Sequence, residues 1–495
     1  MTEINKANLI SNLNTIISSL NLSTASENRL SLIYKAAVND GETPTSIITE
    51  LESRIEAVST LSSIEKSLLY SLVTSLLTED RSIVIADLTA LNALTNISVG
   101  SVYYVESEGF PYIKKTDGSW TRIDPANQSN LLPNAWSWGN NTNGRLGDNT
   151  TVGKSSPVSV VSSFTDWVQV NSGSYHSLGL RVNGTAWAWG RNMFAELGDG
   201  TYDGRSSPVS VIGGFTDWVQ LSGGVVHSLG LRANGTAWAW GFNNYGRLGD
   251  GTTYVTTSPV SVIGGFTDWM QLSAGGAHSL GLRANGTAWA WGTGSAGRLG
   301  DNTTTDKSSP VSVIGGGQPW VQLSAGQTHS LGLRANGTAW AWGNNVTGCL
   351  GDNSYTARSS PVSVVGGFTD WMQLSGGGYH SLGIRANGTA WSWGINTNGQ
   401  LGNNTNSASN SPVSVIGGFT DWVQISAGRY HSVAVRASGS MWSWGSNGNS
   451  QLGDNSSISE SKSSPVLVVG GFTDWIQVSA GNHTLGLRGS NSVLG

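Results

Sequence analysis

From residue 134 onward, apolar and polar positions alternate in short bursts closed off by Gly, Asn, Asp or Ser. The stretch beginning at Pro259 reads Pro-Val-Ser-Val-Ile, then Trp-Met-Gln-Leu-Ser, His-Ser-Leu-Gly-Leu-Arg and Thr-Ala-Trp-Ala-Trp. Period-two segments rich in β-branched and aromatic residues are strands, so the spacing predicts units of four strands. Asn285-Gly286 between the last two segments predicts a two-residue hairpin with both central residues at positive φ, and the pair recurs at 183–184, 234–235, 336–337 and 387–388. A Pro at the head of a strand suits a sheet edge, where the missing N–H costs no ladder bond, so the Pro strand is expected outermost.

Ahead of this region the pattern changes. Over residues 1–80, Leu9, Leu13, Ile16 and Leu20 form one stripe at helical spacing, and Ile64, Leu68, Leu72 and Leu76 form another. Ser62 with Glu65 makes a capping box, and Gly41 to Pro44 breaks the chain. An α-helical N-terminal domain that anchors or associates is therefore predicted for 1–80, open to copies of itself or to another protein. Residues 83–123 read as a small β module with a hairpin through Asp117-Gly118, and 124–133 as a linker.

The strand pattern from 134 to 495 repeats. Trp-Gly recurs at Trp138, Trp189, Trp240, Trp291, Trp342, Trp393 and Trp444, and Leu-Gly keeps the same period from Leu146 to Leu452; the insertion around Ser457 to Lys462 falls in the last loop. Units of this size that cannot bury both faces alone stack as a solenoid or close as a propeller. The ends decide between them. The first copy opens with only its last strand at Trp136, and the chain finishes after the two strands that would precede it, near Trp475 and His483. Joining them leaves no open sheet edge. The expected fold is mainly β, a seven-bladed β-propeller with split-blade closure.

These residues resemble the regulator of chromosome condensation repeat family, whose Leu-Gly, Pro-x-x-Val, Gly-x-x-His and closing Trp-Gly run through the copies. The resemblance implies a seven-bladed propeller and, for eukaryotic members, guanine-nucleotide exchange. Residues 83–123 are similar to a short module of tailed-bacteriophage structural proteins, in the order Ala-Asp-Leu, Val-Gly-x-Val-x-x-Val and Tyr-Ile…Gly-x-Trp.

Composition narrows the chemistry. Gly numbers 67 and Trp 22, charged residues make up 12%, and the net charge is −5, which offers no basic footprint for nucleic acid. A lone cysteine, Cys349, excludes an intrachain disulfide framework. The sequence shows neither a membrane span nor the common form of secretion signal. The paired tryptophans, such as Trp289 and Trp291, lie two apart on a strand and so share a face, where they are expected to fill blade-to-blade contacts. Trp269 is expected at a blade's inner corner.

All seven histidines, His176, His227, His278, His329, His380, His431 and His483, share one repeat position. They are expected to stand around a ring, each bonding backbone in its own blade, rather than to converge on a metal. Asp148 and its equivalents, with Asn403 in one copy, read as turn residues, and Arg232 and its equivalents as exposed or blade-bridging cations. The sequence calls for no cofactor, no metal and no catalytic set. The long loops after each Trp-Gly vary, and variable loops on a rigid scaffold carry binding. Phe194, Tyr245, Tyr355, Asn243 and Asn344 are the candidate ligand contacts.

With no blade distinguished, the expected function is a non-enzymatic virion structural or surface-binding protein, a tail or fibre-type component. Residues 1–123 would contact other virion proteins, and the loops would hold a host surface polysaccharide or receptor through many equivalent sites. The alternative is a cytoplasmic exchange factor or protein-inhibitory propeller acting by protein–protein binding.

Overall fold

Short connections join successive strands, so the four strands of a repeat pair with one another first. The computed structural model describes residues 134–489, apart from 163, 165, 457 and 458, and four short strands ahead of them. Those four, Val84–Ile85, Val102–Val105, Phe110–Lys114 and Trp120–Arg122, form one sheet in chain order, with the first pair parallel and the others antiparallel. The helical reading of 1–80, the linker 124–133 and most of the phage-like module lie outside the described residues.

The remaining strands make seven four-stranded antiparallel sheets. In one blade Trp269–Ala274, His278–Arg283, Ala288–Gly292 and Lys307–Ser312 lie side by side in that order. Numbered along the chain from the blade that starts at Trp167, this is blade 3. Blade 7 is split: Trp475–Ala480 and His483–Arg488 are its inner strands, and Asn134–Gly139 and Lys154–Ser159 its outer ones. The seam runs in register from His483 opposite Gly139 to Arg488 opposite Asn134. First strands of neighbouring blades touch all the way round, Trp475–Ala480 against Trp167–Ser172 included, so the ring is closed and the Pro strand is outermost.

The core lies between blades. Leu229, Leu231, Ala237 and Ala239 of blade 2 face Trp269, Leu272 and Trp291 of blade 3. The second Trp of each pair is fully buried, whereas the first, such as Trp289, is half-buried against Phe266 at 4.9 Å with its indole N–H donated to Thr287 Oγ1. Trp269 heads the innermost strand and lies tilted against Trp291 at 5.9 Å. A ring of this size buries about 150–250 Å², so these aromatics carry much of the cohesion between blades.

Polar belts reinforce the apolar one. Gln271 Oε1 accepts the Leu323 N–H of the next blade at 2.8 Å, and the same bond closes the ring from Gln477 to Val170. The histidines differ from expectation: each reaches a hydroxyl of the next blade, not backbone of its own. His278 Nε2 lies 2.9 Å from Ser330 Oγ, whose proton goes to the Arg298 carbonyl at 2.9 Å. Because the hydroxyl donates there, it accepts from the imidazole, which fixes the neutral tautomer with the proton on Nε2. Glycine at 275 is required for this placement, since a Cβ there would sit 2.5 Å from His278 Cε1.

The Asn-Gly connections also differ. Gly184 alone takes positive φ, +72°; its N–H donates to the Arg181 carbonyl, and the Arg181 N–H to Thr185. This is a three-residue connection, a turn followed by a left-handed glycine. Asn183 instead accepts the Thr185 N–H and hydroxyl.

Candidate functional site

Antiparallel order places two kinds of loop on one side of the ring: those joining first to second strands, and the long ones after Trp-Gly. This loop face holds all the sequence-predicted site residues but does not gather them. Asn243 is fully buried: its carboxamide accepts the Leu248 N–H and donates to Asp250 Oδ1 and Thr252, closing its own loop. It is a scaffold residue, contrary to expectation. Asn344 is half-buried and accepts the Val346 N–H. Phe194 packs on Phe242 at 4.7 Å, while Tyr245 and Tyr355 are exposed in the loops of blades 2 and 4.

Two other expectations resolve as structure. Asp148 Oδ1 accepts from Thr150 and Asn141, and Asn403 makes the same bonds with Thr405 and Asn396. The arginine ring is not free: Arg232 pairs with Asp217 of its own blade at 2.8 Å and lies over Phe215 at 4.1 Å. Blade 4 departs from this, with Pro319 in the Asp position. There Arg334 donates to the Gln318 and Gly315 carbonyls and lies over Trp320.

The feature missed in the sequence is the residue just before each His. Around the ring it is Tyr175, Val226, Ala277, Thr328, Tyr379, Tyr430 and Asn482. Tyr379 and Tyr430 stack at 6.0 Å, and Arg429 sits 5.1 Å from the Tyr430 ring. Tyr175 lies between Arg191 at 3.9 Å and Arg145 at 5.2 Å. At this position blades 5, 6 and 1 thus carry tyrosines that blades 2 to 4 lack, although in blade 2 Arg247 lies over Phe242 and Tyr245 of the neighbouring loop. One sector is distinguished, contrary to the reading of equivalent blades.

Between blades 6, 7 and 1 this sector opens into a cavity of about 380 Å³, lined among others by Arg145, Tyr175, Arg429, Tyr430, Asn143 and Gln451. The central channel is narrower, about 70 Å³, and lined almost wholly by Gly, Ala and Ser. Burial, with the nearby charge of Arg191, lowers Arg145 to about 10, which leaves it cationic at neutral pH. Burial works against the Arg429 charge as well, but the Tyr430, Tyr175 and Tyr379 hydroxyls raise its pKa overall. Cys349 is buried, and its thiol, raised by burial to about 12, is unreactive. Among the described residues no group of three His, Cys, Asp or Glu is placed to hold a metal.

Comparison with known proteins decides the family: the RCC1-like domain matches residues 134–487. The chain belongs to the RCC1-like family. This RCC1-like chain is 28% identical to the ultraviolet-B receptor UVR8 of Arabidopsis thaliana over 334 residues, 65% of the chain and 75% of that protein. It is 27% identical to the E3 ubiquitin-protein ligase HERC2 of Homo sapiens over 64% of the chain but only 7% of HERC2, so the ligase name does not carry over. Prp20p of Saccharomyces cerevisiae shares the fold, with a TM-score of 0.66 and 21% identity over 74% of the chain and 95% of Prp20p.

These relatives overturn the virion reading. They are cellular proteins of RCC1 type, and neither a virion location nor a glycan ligand has support among them. The likeness over 83–123 rests on a short, loose motif order, whereas the propeller motifs are specific enough to fix the family over 134–487. No described helix is long and apolar enough to cross a membrane.

Proposed function

We propose that this RCC1-like propeller acts by binding another protein in the cell, through the part of its loop face formed by blades 5, 6, 7 and 1. The observation that carries this is the stacked Tyr379–Tyr430 pair with Arg429 beside it, set against Val226, Ala277 and Thr328 at the same position of blades 2 to 4. Tyr and Arg dominate the energetic centres of protein interfaces because they bury large area and lose little side-chain entropy per contact. The relatives support the reading in kind: UVR8 is a receptor, and Prp20p is described as binding Gsp1p and histones.

The test is quantitative affinity capture from cell extract with three forms of the full chain: wild type, Tyr379→Ala/Tyr430→Ala, and Ala386→Arg on the opposite face. The expected result is a defined protein set held by wild type and Ala386→Arg and weakened at least about tenfold by the double substitution, since two such anchors exceed 1.4 kcal/mol. Equal retention by all three forms, or loss only with Ala386→Arg, overturns the proposal. Adding purified Gsp1p loaded with labelled nucleotide tests the exchange-factor form of the same reading.

A further inference from the structure

Loops between first and second strands are linked to one another by a collar of backbone bonds. The Ser174 N–H donates to the Gly224 carbonyl of the next blade, and the same bond recurs from Val225, Gly276, Gln327, Gly378 and Arg429. In blade 7 this loop is one residue shorter: Gly481-Asn482-His483 stands where the others have Gly-x-x-His. The residue that would donate the seventh bond is missing, and over that gap the 380 Å³ cavity opens, with Gly481 and Asn482 in its lining.

The charges around the gap are unbalanced. Twelve Lys or Arg side chains of the propeller sit within ion-pair distance of a carboxylate. Arg145 and Arg429 are not among them, nor are Arg247, Arg298 and Arg334; what sets the first two apart is that both line this cavity, whose lining contains no Asp or Glu. Arg145 is 3% exposed, donates to the Ser174 carbonyl and to Asn143 Oδ1, and keeps a buried Nε with no partner; the Arg429 Nε is likewise buried and unpartnered. Two guanidiniums without counter-ions among the described residues, in a partly desolvated recess, favour an anion, and their planar forks fit a carboxylate. The tyrosine rings of 175 and 430 supply flat walls for the chain that carries it.

We propose that this cavity is an acidic-peptide site, taking a carboxylate of a protein partner between Arg145 and Arg429. The assignment rests on the protein-binding reading and names the chemistry of its partner.

Fluorescein-labelled hexaglutamate, amidated at its C-terminus, is titrated into the full chain by fluorescence anisotropy, with amidated hexaglutamine as the neutral control. The expected result is saturable binding of hexaglutamate alone, weakening severalfold as salt rises through the range where the Debye length shortens from about 30 to 8 Å. Arg429→Gln is expected to weaken it at least about tenfold, the scale of one charge-assisted pair. Asn143→Asp is isosteric and sets an internal carboxylate beside Arg145, so it is expected to abolish binding without loss of fold. Hexaglutamine with a free C-terminus distinguishes the sources: binding of this peptide assigns the site to a chain terminus, and its failure assigns it to Asp or Glu side chains. Equal binding of both amidated peptides, no binding of any peptide, or unchanged affinity in both variants overturns the proposal. If capture by Tyr379 and Tyr430 holds while the peptides fail, protein binding stands and only the acidic site falls.

Discussion

The imidazole of His483 and the hydroxyl of Ser177 lie 2.6 Å apart across 306 residues of sequence. This bond links blade 7 to blade 1 and completes a belt that runs through Ser228, Ser279, Ser330, Ser381, Ser432 and Thr484. Ser177 also donates to the Arg145 carbonyl at 2.7 Å. Ser177→Ala leaves both groups buried and unpaired, a cost of about 1–3 kcal/mol. Urea denaturation is expected to show the same loss for Ser177→Ala as for Ser330→Ala, since closure uses the bond found inside the array. A null effect at 177 alone would mean that the seam is held otherwise.

The belt makes stability depend on acid. Unfolded histidines titrate near about 6.5. Burial lowers His176, His380 and His431 to about 3 and His329 to about 4. Between those values the unfolded chain binds more protons than the folded one, so stability is complete above about pH 6.5 and declines as pH falls toward 4. Calorimetry is expected to show a falling Tm over that window, with uptake of several protons on unfolding. A flat Tm from neutral pH down to about 5 would contradict it.

Gly281 is held to glycine by volume. A Cβ there would lie 2.5 Å from Trp269 Cζ3. Gly281→Ala is expected to cost about 1–3 kcal/mol by overpacking, read as a lower midpoint in denaturant. Blade 6 carries Ala434 at this position, packed with Trp422 and Ile425 on the side of blade 5, so a methyl is accommodated there.

Asp250 serves its turn by accepting hydrogen bonds from Thr252 and Asn243. Asp250→Asn keeps an acceptor, as Asn403 does in blade 5, and is expected to change stability by less than about 0.5 kcal/mol. Asp250→Ala is expected to cost about 1 kcal/mol. Thermal melts with and without calcium distinguish this from a metal site: for either variant calcium is expected to leave the midpoint unchanged.

What could be read from the chain, and what could not, divides along one line. Strands and their order follow from period-two patterning, and the edge position of the Pro strand from its missing N–H, both of which are local. Belt partners were mistaken because position in a repeat says which residues are equivalent, not which neighbour each one touches. The Asn-Gly turns were mistaken for a related reason: the two- and three-residue forms share that dipeptide, and backbone bonds such as Gly184 to Arg181 decide between them. Asn243 looked available because loops are usually exposed, yet its carboxamide is the group that closes the loop.

Sequence alone determined that seven like units close head to tail, because the repeat keeps constant phase and its two ends supply complementary halves of one sheet. Only the tertiary structure decided where the ring departs from symmetry. Arg145 and Arg429 come from opposite ends of the array and face one cavity solely because the chain returns to its start. A linear pattern records distance along the chain, whereas the balance of charge and space in a recess is set by distance through it.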